Sequence, residues 1–274
     1  MRRLFPAVLC IATIATLAFL VVPIAAIFLR VPPRELIGAL GSDVARDALL
    51  VTLETTVIAQ VLIMAFGTPA AYLLANRRFP GHSLAVTLIE LPLVLPPAVA
   101  GIGLLATFGR LGLLGSSLSA LGLEIAFTKI AVVLAVVFVA GPFYVRTAIA
   151  AFADVDPMLT DAARTLGAGP ARTFGRIALP LAAGGLGAGA ALSFARGIGE
   201  FGATIMFAGS LQGVTQTLSL AVYEQFDVDF DTALAIGAEL VVASAVVLLA
   251  VKLVPVWRRS TSISATVSAT SASS

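Results

Sequence analysis

Apolar runs of 20 residues or more alternate with short polar segments along this chain, and about 20 apolar residues suffice for a transmembrane helix. The first run extends from Leu4 to Leu29 behind Arg2 and Arg3. It exceeds the apolar core of a signal peptide and reads as a retained span. A mixed-charge segment follows from Arg30 to Asp47, with Arg34, Glu35, Asp43 and Arg46. The second run, Ala48 to Ala75, carries Glu54 and Gln60 in its first half. Asn76 to His82 is a polar turn with Arg77 and Arg78, where His82 reads as a solvated loop residue. The third run is Ser83 to Phe108, with Glu90 near its start, and a Gly/Ser-rich segment continues from Arg110 to Glu124. The fourth run is Ile125 to Ala150, with Lys129 and Arg146 near its ends. The fifth is Leu181 to Gly209, and the sixth, Thr232 to Val254, carries Glu239. Ser260 to Ser274 lacks any hydrophobic period and reads as disordered. The pattern predicts an all-α integral membrane protein of about six transmembrane helices. It divides into a first helix with its polar segment (1–47), a transmembrane core (48–254) and a tail (255–274).

Between the fourth and fifth runs lies the longest charge-bearing interruption on its side of the membrane, Asp154 to Pro180. Asp156 is a good N-cap, and Pro157 at the first helical position loses nothing by lacking an N–H. Gly167 suits the left-handed position past a helix end. A helix of roughly ten residues results, with Leu159, Ala162, Ala163 and Leu166 on one face. A second short helix is expected from Pro170, with Arg172 and Arg176, ending before Pro180.

Two runs are interrupted in ways that matter for passage through a bilayer. The third holds Pro92, Pro96 and Pro97. Each proline removes a backbone donor, and broken backbone at membrane depth persists only inside protein or beside a water-filled cavity. The segment is therefore a candidate pathway lining or a kinked packing helix. The fifth run is dense in glycine (Gly184, Gly185, Gly187, Gly189, Gly197, Gly199, Gly202), which lets helix backbones approach closely. It also holds Arg196 and Glu200, four apart and so on one face. An unpaired charge there costs at least about 2.5–3.5 kcal/mol, so the two should pair with each other, pair across helices, or face water. Either a gate contact or a static ion pair is consistent with this spacing. The pathway or gate candidates are Pro92, Pro96, Pro97, Arg196, Gly199, Glu200, Gly202 and Thr204.

Composition agrees with the membrane reading: 59% of residues are hydrophobic and 12% charged, against about a quarter charged in soluble domains. One cysteine (Cys10) and one histidine (His82) leave no disulfide, metal cluster or nucleophile–base constellation. No G-x-x-x-x-G-K-[ST] occurs, so any ATP must be handled by a partner. With both ends inside, eleven basic residues flank the cytoplasmic side: Arg2, Arg3, Arg77, Arg78, Arg146, Arg164, Arg172, Arg176, Lys252, Arg258 and Arg259. Five lie outside: Arg30, Arg34, Arg46, Arg110 and Lys129. This asymmetry predicts a multi-pass cell-membrane protein with both termini cytoplasmic. The net charge of +2 then reflects topology, and no nucleic-acid partner is implied.

The spacing D-A-A-x3-G-x9-I-x-L-P, formed by Asp161, Ala162, Ala163, Gly167, Ile177, Leu179 and Pro180, resembles the cytoplasmic coupling loop of ABC importer permeases. That family usually has Glu where this chain has Asp161. The stretch Phe194 to Gly209, the T-Q-T-L-x-L-A-V-Y segment ending at Tyr223, and L-P-L-V-L-P-P-A-V-A-G resemble the molybdate permease family, with sulfate and thiosulfate permeases close by. The resemblance covers about residues 48 to 254. It implies a type I ABC importer permease fold and a pathway formed by a homodimer. Two cytoplasmic ABC ATPase subunits and an extracytoplasmic oxyanion-binding protein complete the expected assembly. This chain would bind no cofactor, ATP being used by the ATPase. The acidic cluster Glu224, Asp227, Asp229 and Asp231 offers a dianion nothing, and reads either as a docking surface for the binding protein or as a solvated acidic loop. An ion-gradient-driven secondary transporter is the competing reading; it would need inverted repeats and intramembrane carboxylates, and Glu200 is the only deep candidate.

Overall fold

The computed structural model describes residues 4–32, 34, 38 and 41–249, and these are helical, in turns or irregular, with no strand among them. Glu35, the basic residues at the two ends (Arg2, Arg3, Lys252, Arg258, Arg259), the end of the sixth predicted span and the 255–274 tail lie outside them.

Among the described residues, five helices are long and apolar enough to cross a membrane: α1 (Leu4–Arg30), α2 (Asp43–Asn76), α6 (Lys129–Ala153), the continuous stretch Pro170–Ile198, and α12 (Phe230–Leu249). A bent pair, α3 (His82–Val94) and α4 (Pro97–Phe108), is apolar enough to make a sixth span when taken together, but its halves meet at 114°. The single third span expected from the sequence is therefore two half-helices. Pro97 opens α4 as its first residue, and Leu95 and Pro96 between the halves are extended.

Helix α2 starts earlier than the apolar pattern suggests. Ser42 caps it, its hydroxyl accepting the Ala45 N–H at 3.2 Å, and Asp43 sits favourably in the first turn. Asp43, Arg46 and Asp47 thus belong to the helix and not to the preceding polar segment. Conversely α6 begins at Lys129, because Phe127 takes a left-handed backbone (φ 61°) that no helix accommodates. The short α5 (Gly115–Ala120) fills the intervening loop. His82 is not a free loop residue: it opens α3, with Nε2 2.8 Å from the Leu74 carbonyl at the end of α2.

Helices α2 and α6 run parallel, and α9 (Leu179–Ile198) runs antiparallel to both. Their shared core includes Ala59, Ile63, Tyr144, Phe152, Ala182 and Leu186. The glycines of α9 give this contact its closeness: a Cβ added at Gly185 would sit 2.4 Å from that of Ala151. Polar contacts tie the same helices. The Ser193 hydroxyl donates to Gln60 Oε1 at 2.8 Å, and Tyr144 and Thr68 share a hydrogen bond of 2.6 Å. In a bilayer such an interhelical bond contributes about 0.6 kcal/mol on average. Helix α1 stands apart, with none of its span buried.

Candidate functional site

Three regions hold the residues singled out by the sequence. The first is the loop after α6. Helix α7 (Pro157–Thr165) is capped by Asp156, whose Oδ1 accepts the Met158 N–H at 2.8 Å. It stops where Gly167 turns left-handed at φ 83°. Asp161 projects outward, 68% exposed, with Oδ1 3.3 Å from Arg164 Nη1. The expected apolar stripe is divided. Ala163 is buried beside Thr160, whereas Met158, Leu159, Ala162 and Leu166 remain uncovered. These four side chains leave an apolar strip open on a charged helix.

The second short helix departs from expectation. Helix α8 (Pro170–Thr173) does not end before Pro180. It passes through a π turn (Phe174–Ala178) directly into α9. Within that turn the Leu179 N–H bonds to the Phe174 carbonyl five residues back, just ahead of the proline whose missing N–H would have interrupted the ladder. Ile177 and Leu179 are half-buried, Pro180 exposed. The loop is thereby fused to a long membrane helix.

The second region is the far end of α9. The predicted fifth span is broken: α9 ends at Ile198, Gly199 to Phe201 leave the helix, and α10 (Gly202–Ala208) begins anew. Glu200 makes both ends of the break. Its Oε1 accepts the Ala203 N–H at 2.8 Å, closing the start of α10, and its Oε2 lies 2.7 Å from Arg196 Nη2 on α9. Of the options the spacing left open, the structure selects mutual pairing. The Glu200 side chain is 1% exposed and that of Arg196 28%. Helix α10 lies hard against α4. A Cβ on Gly101 would fall 2.5 Å from the Ala203 carbonyl oxygen, and one on Gly202 would fall 2.9 Å from Cβ of Pro97. The two breaks, Leu95–Pro96 and Gly199–Phe201, are therefore side by side. Pro92 lies one turn before them inside α3, and Thr204 is fully buried on α10.

The third region is the end of the bundle opposite α7. The segment T-Q-T-L, whose sequence suggested no physical role, is a buried turn. Thr215 Oγ1 accepts the Leu211 N–H, and the Leu218 N–H is donated to Thr52 Oγ1 of α2 at 2.9 Å. This turn starts α11 (Leu218–Phe226). The acidic residues beyond it do different work. Glu224 accepts from Gln216 Nε2. Asp229 caps α12, its Oδ1 accepting the Asp231 and Thr232 N–H groups and its Oδ2 the Thr232 hydroxyl at 2.6 Å. The Thr232 hydroxyl, foremost among these donors, holds the Asp229 carboxyl below its ordinary range. Asp227 and Asp231 are exposed, and their side chains have no polar partner among the described residues. Nearby, Lys129 Nζ meets Glu54 Oε2 at 2.6 Å. That pair and the Gly101–Ala203 contact join residues 75 and 102 positions apart, and no local sequence signal announces either.

Residues 67–257 match the family described as "Binding-protein-dependent transport system inner membrane component". The chain is 43% identical over 238 residues to the "Molybdenum transport system permease protein ModB" of Mycobacterium tuberculosis, covering 87% of this chain and 90% of that protein. It is 33% identical over 239 residues to the "Probable sulfate transport system permease protein cysT" of Nephroselmis olivacea, covering 86% and 84%. Among solved structures, it shares the fold of a chain in a bacterial ABC transporter that imports alginate, with a TM-score of 0.71 at 17% identity over 92% of this chain and 94% of that one. The chain in MetNI, a methionine ABC transporter in inward-facing conformations, gives a TM-score of 0.60 at 18% identity over 77% and 94%. The family model matched over residues 67–257, together with 43% identity to a permease across 87% of the chain, places the chain in the family of inner-membrane components of binding-protein-dependent transport systems.

Proposed function

We propose that this chain is the transmembrane permease subunit of an ATP-driven importer for molybdate. Two copies form the pathway. A pair of cytoplasmic ABC ATPase subunits meets the α7 end, and an extracytoplasmic binding protein delivers the oxyanion at the other. Both termini then lie in the cytoplasm, and the nucleotide belongs to the ATPase. The observation that carries the substrate is the 43% identity to a molybdenum permease across 87% of the chain. Tungstate is nearly isosteric with molybdate and should be carried too. The sulfate permease relative, at 33% over 86% of the chain, supports sulfate as the second reading.

The geometry supports a mechanical route. Helix α7 offers Asp161 and an open apolar strip to a groove on the ATPase. Closure of the ATPase dimer on ATP draws the two α7 helices together. Each is joined through α8 and the π turn to α9, so displacement passes along one rigid rod to the Arg196–Glu200 pair. There Glu200 hands it to α10, and α10 to α4 through Gly101 and Gly202. Switching such an element from mostly one state to mostly the other takes about 5.5 kcal/mol of differential binding. The exposed α1 offers an apolar surface to lipid or to the second copy. Of the acidic residues expected to dock the binding protein, Asp227 and Asp231 are free to do so, while Glu224 and Asp229 serve the chain's own turns.

The test is ATP hydrolysis by the permease–ATPase complex in liposomes with its binding protein. Stimulation by molybdate and tungstate but not sulfate, abolished by Asp161→Lys, is expected. Stimulation by sulfate alone would transfer the substrate to the second reading. No stimulation by any oxyanion would overturn the importer.

A further inference from the structure

A cavity of about 280 Å³ opens at the Lys129 end of α6, between the end of α4, α5 and the 123–127 segment. Leu105, Phe108, Leu118 and Ile125 make it apolar, and Arg110 and Glu124 stand within it with opposite charge. Neither charge has a salt-bridge or hydrogen-bond partner among the described residues. Apolar side chains stand uncovered around it: Leu113 is 84% exposed and Leu121 74%.

One wall is under backbone strain. Phe127 is the sole non-glycine residue with positive φ among the described residues, at 61°, where a bulky side chain is disfavoured. Such outliers persist where the surroundings over-determine them, and they concentrate at functional sites. Here the Phe127 N–H is donated to the Phe207 carbonyl near the end of α10, and its ring packs on Gly209, itself left-handed at φ 66°. The cavity wall is thus pinned to the half-helix that Glu200 starts.

We infer that this cavity is the seat for an apolar side chain of the binding protein, flanked on that protein by one acidic group facing Arg110 and one basic group facing Glu124. The inference rests on the importer reading, which leaves this end of the bundle to the binding protein. Helix α6 separates the two ends by 25 residues, about 37 Å, so the cavity is remote from α7. Arg110 and Glu124 are both exposed at its rim, where groups of opposite charge on a docking protein add orientation and specificity to the apolar contact. Through Phe127 and Phe207 the seat touches α10 directly, so occupancy is felt at the break that the ATPase moves from the other side.

The test uses the permease–ATPase complex in nanodiscs and its oxyanion-loaded binding protein, measuring affinity and stimulated hydrolysis. Ser119→Trp blocks the mouth from an exposed position, and Arg110→Glu reverses one charge. Each is expected to weaken binding about tenfold or more, with basal hydrolysis and the mass of the complex unchanged. Wild-type affinity in both variants would overturn the seat while leaving the importer intact. Loss of the permease dimer in Ser119→Trp would also overturn it, assigning the cavity to a second copy. A wild-type complex that no binding protein stimulates would sink the importer reading and this inference with it.

Discussion

Glu200 stands 2.7 Å from Arg196 while closing the first turn of α10 through the Ala203 N–H, so one buried carboxylate joins two helices of a broken span. Breaking a buried pair from one side leaves an uncompensated charge at about 3–5 kcal/mol. Arg196→Ala strands the Glu200 carboxylate, whose side chain is 1% exposed, and should therefore lower the apparent melting temperature of the purified complex markedly. Glu200→Gln with Arg196→Gln removes both charges and should recover much of that loss. If transport stays low in the double variant despite restored stability, the pair also serves the cycle; full transport there would make it purely structural.

Gly101 has no room for a methyl group, since a Cβ would sit 2.5 Å from a backbone oxygen of Ala203. Overpacking of this kind costs typically 1–3 kcal/mol. Gly101→Ala should destabilise the α4–α10 contact and depress transport. Gly103→Ala, two residues on and facing open space, is the matched control and should behave as wild type. Equal behaviour of the two in a thermal-shift and uptake comparison would count against a close contact.

Asp156 holds the first turn of α7 through one hydrogen bond to Met158. Loss of an N-cap costs about 0.5–2 kcal/mol, confined here to a nine-residue surface helix. Asp156→Ala should leave the melting of the bundle nearly unchanged but reduce substrate-stimulated ATP hydrolysis. Asp156→Ser, another good cap, should restore it. Stimulation untouched in the alanine variant would show that α7 acts without an ordered first turn.

Asp229 makes the start of α12 sensitive to acid. Its carboxyl is held low by the Thr232 hydroxyl and by the Thr232 and Asp231 N–H groups. A carboxylate whose native pKa lies below its unfolded value contributes stability above the unfolded value, and that contribution disappears as pH falls through the native one. Hydrogen-exchange protection of residues 230–234, corrected for intrinsic rates, should drop with acidification in the wild type. In Asp229→Ala it should be low already at neutral pH and change little.

Much of the fold was legible because membrane helices announce themselves by length. The α7 segment was readable in detail: Asp156 acts on a backbone N–H two residues away, Pro157 and Gly167 act through their own backbones, and all three occupy the positions their chemistry favours. Boundaries failed where a polar side chain did something local that hydropathy does not record. Ser42 extended α2 toward the chain's start, and a glutamate placed by composition inside a span proved to be the cap of a new helix. Pro180 suggested a stop and was instead absorbed by a π turn. Among the acidic residues near α12, the sequence showed a cluster, and only hydrogen-bond partners separated Asp229 and Glu224 from Asp227 and Asp231.

By itself the sequence determined the membrane class, the order of the apolar helices, the α7 loop and the family resemblance. All of these rest on composition, on spacing within about twenty residues, or on single-residue backbone preferences. Only the tertiary structure decided which charges pair, that the two broken helices lie against each other, and that Phe127 is strained beside a cavity. Those relations join residues remote in the chain. They depend on how helices of fixed shape pack once the bilayer removes water as an alternative partner, and no local pattern encodes that choice.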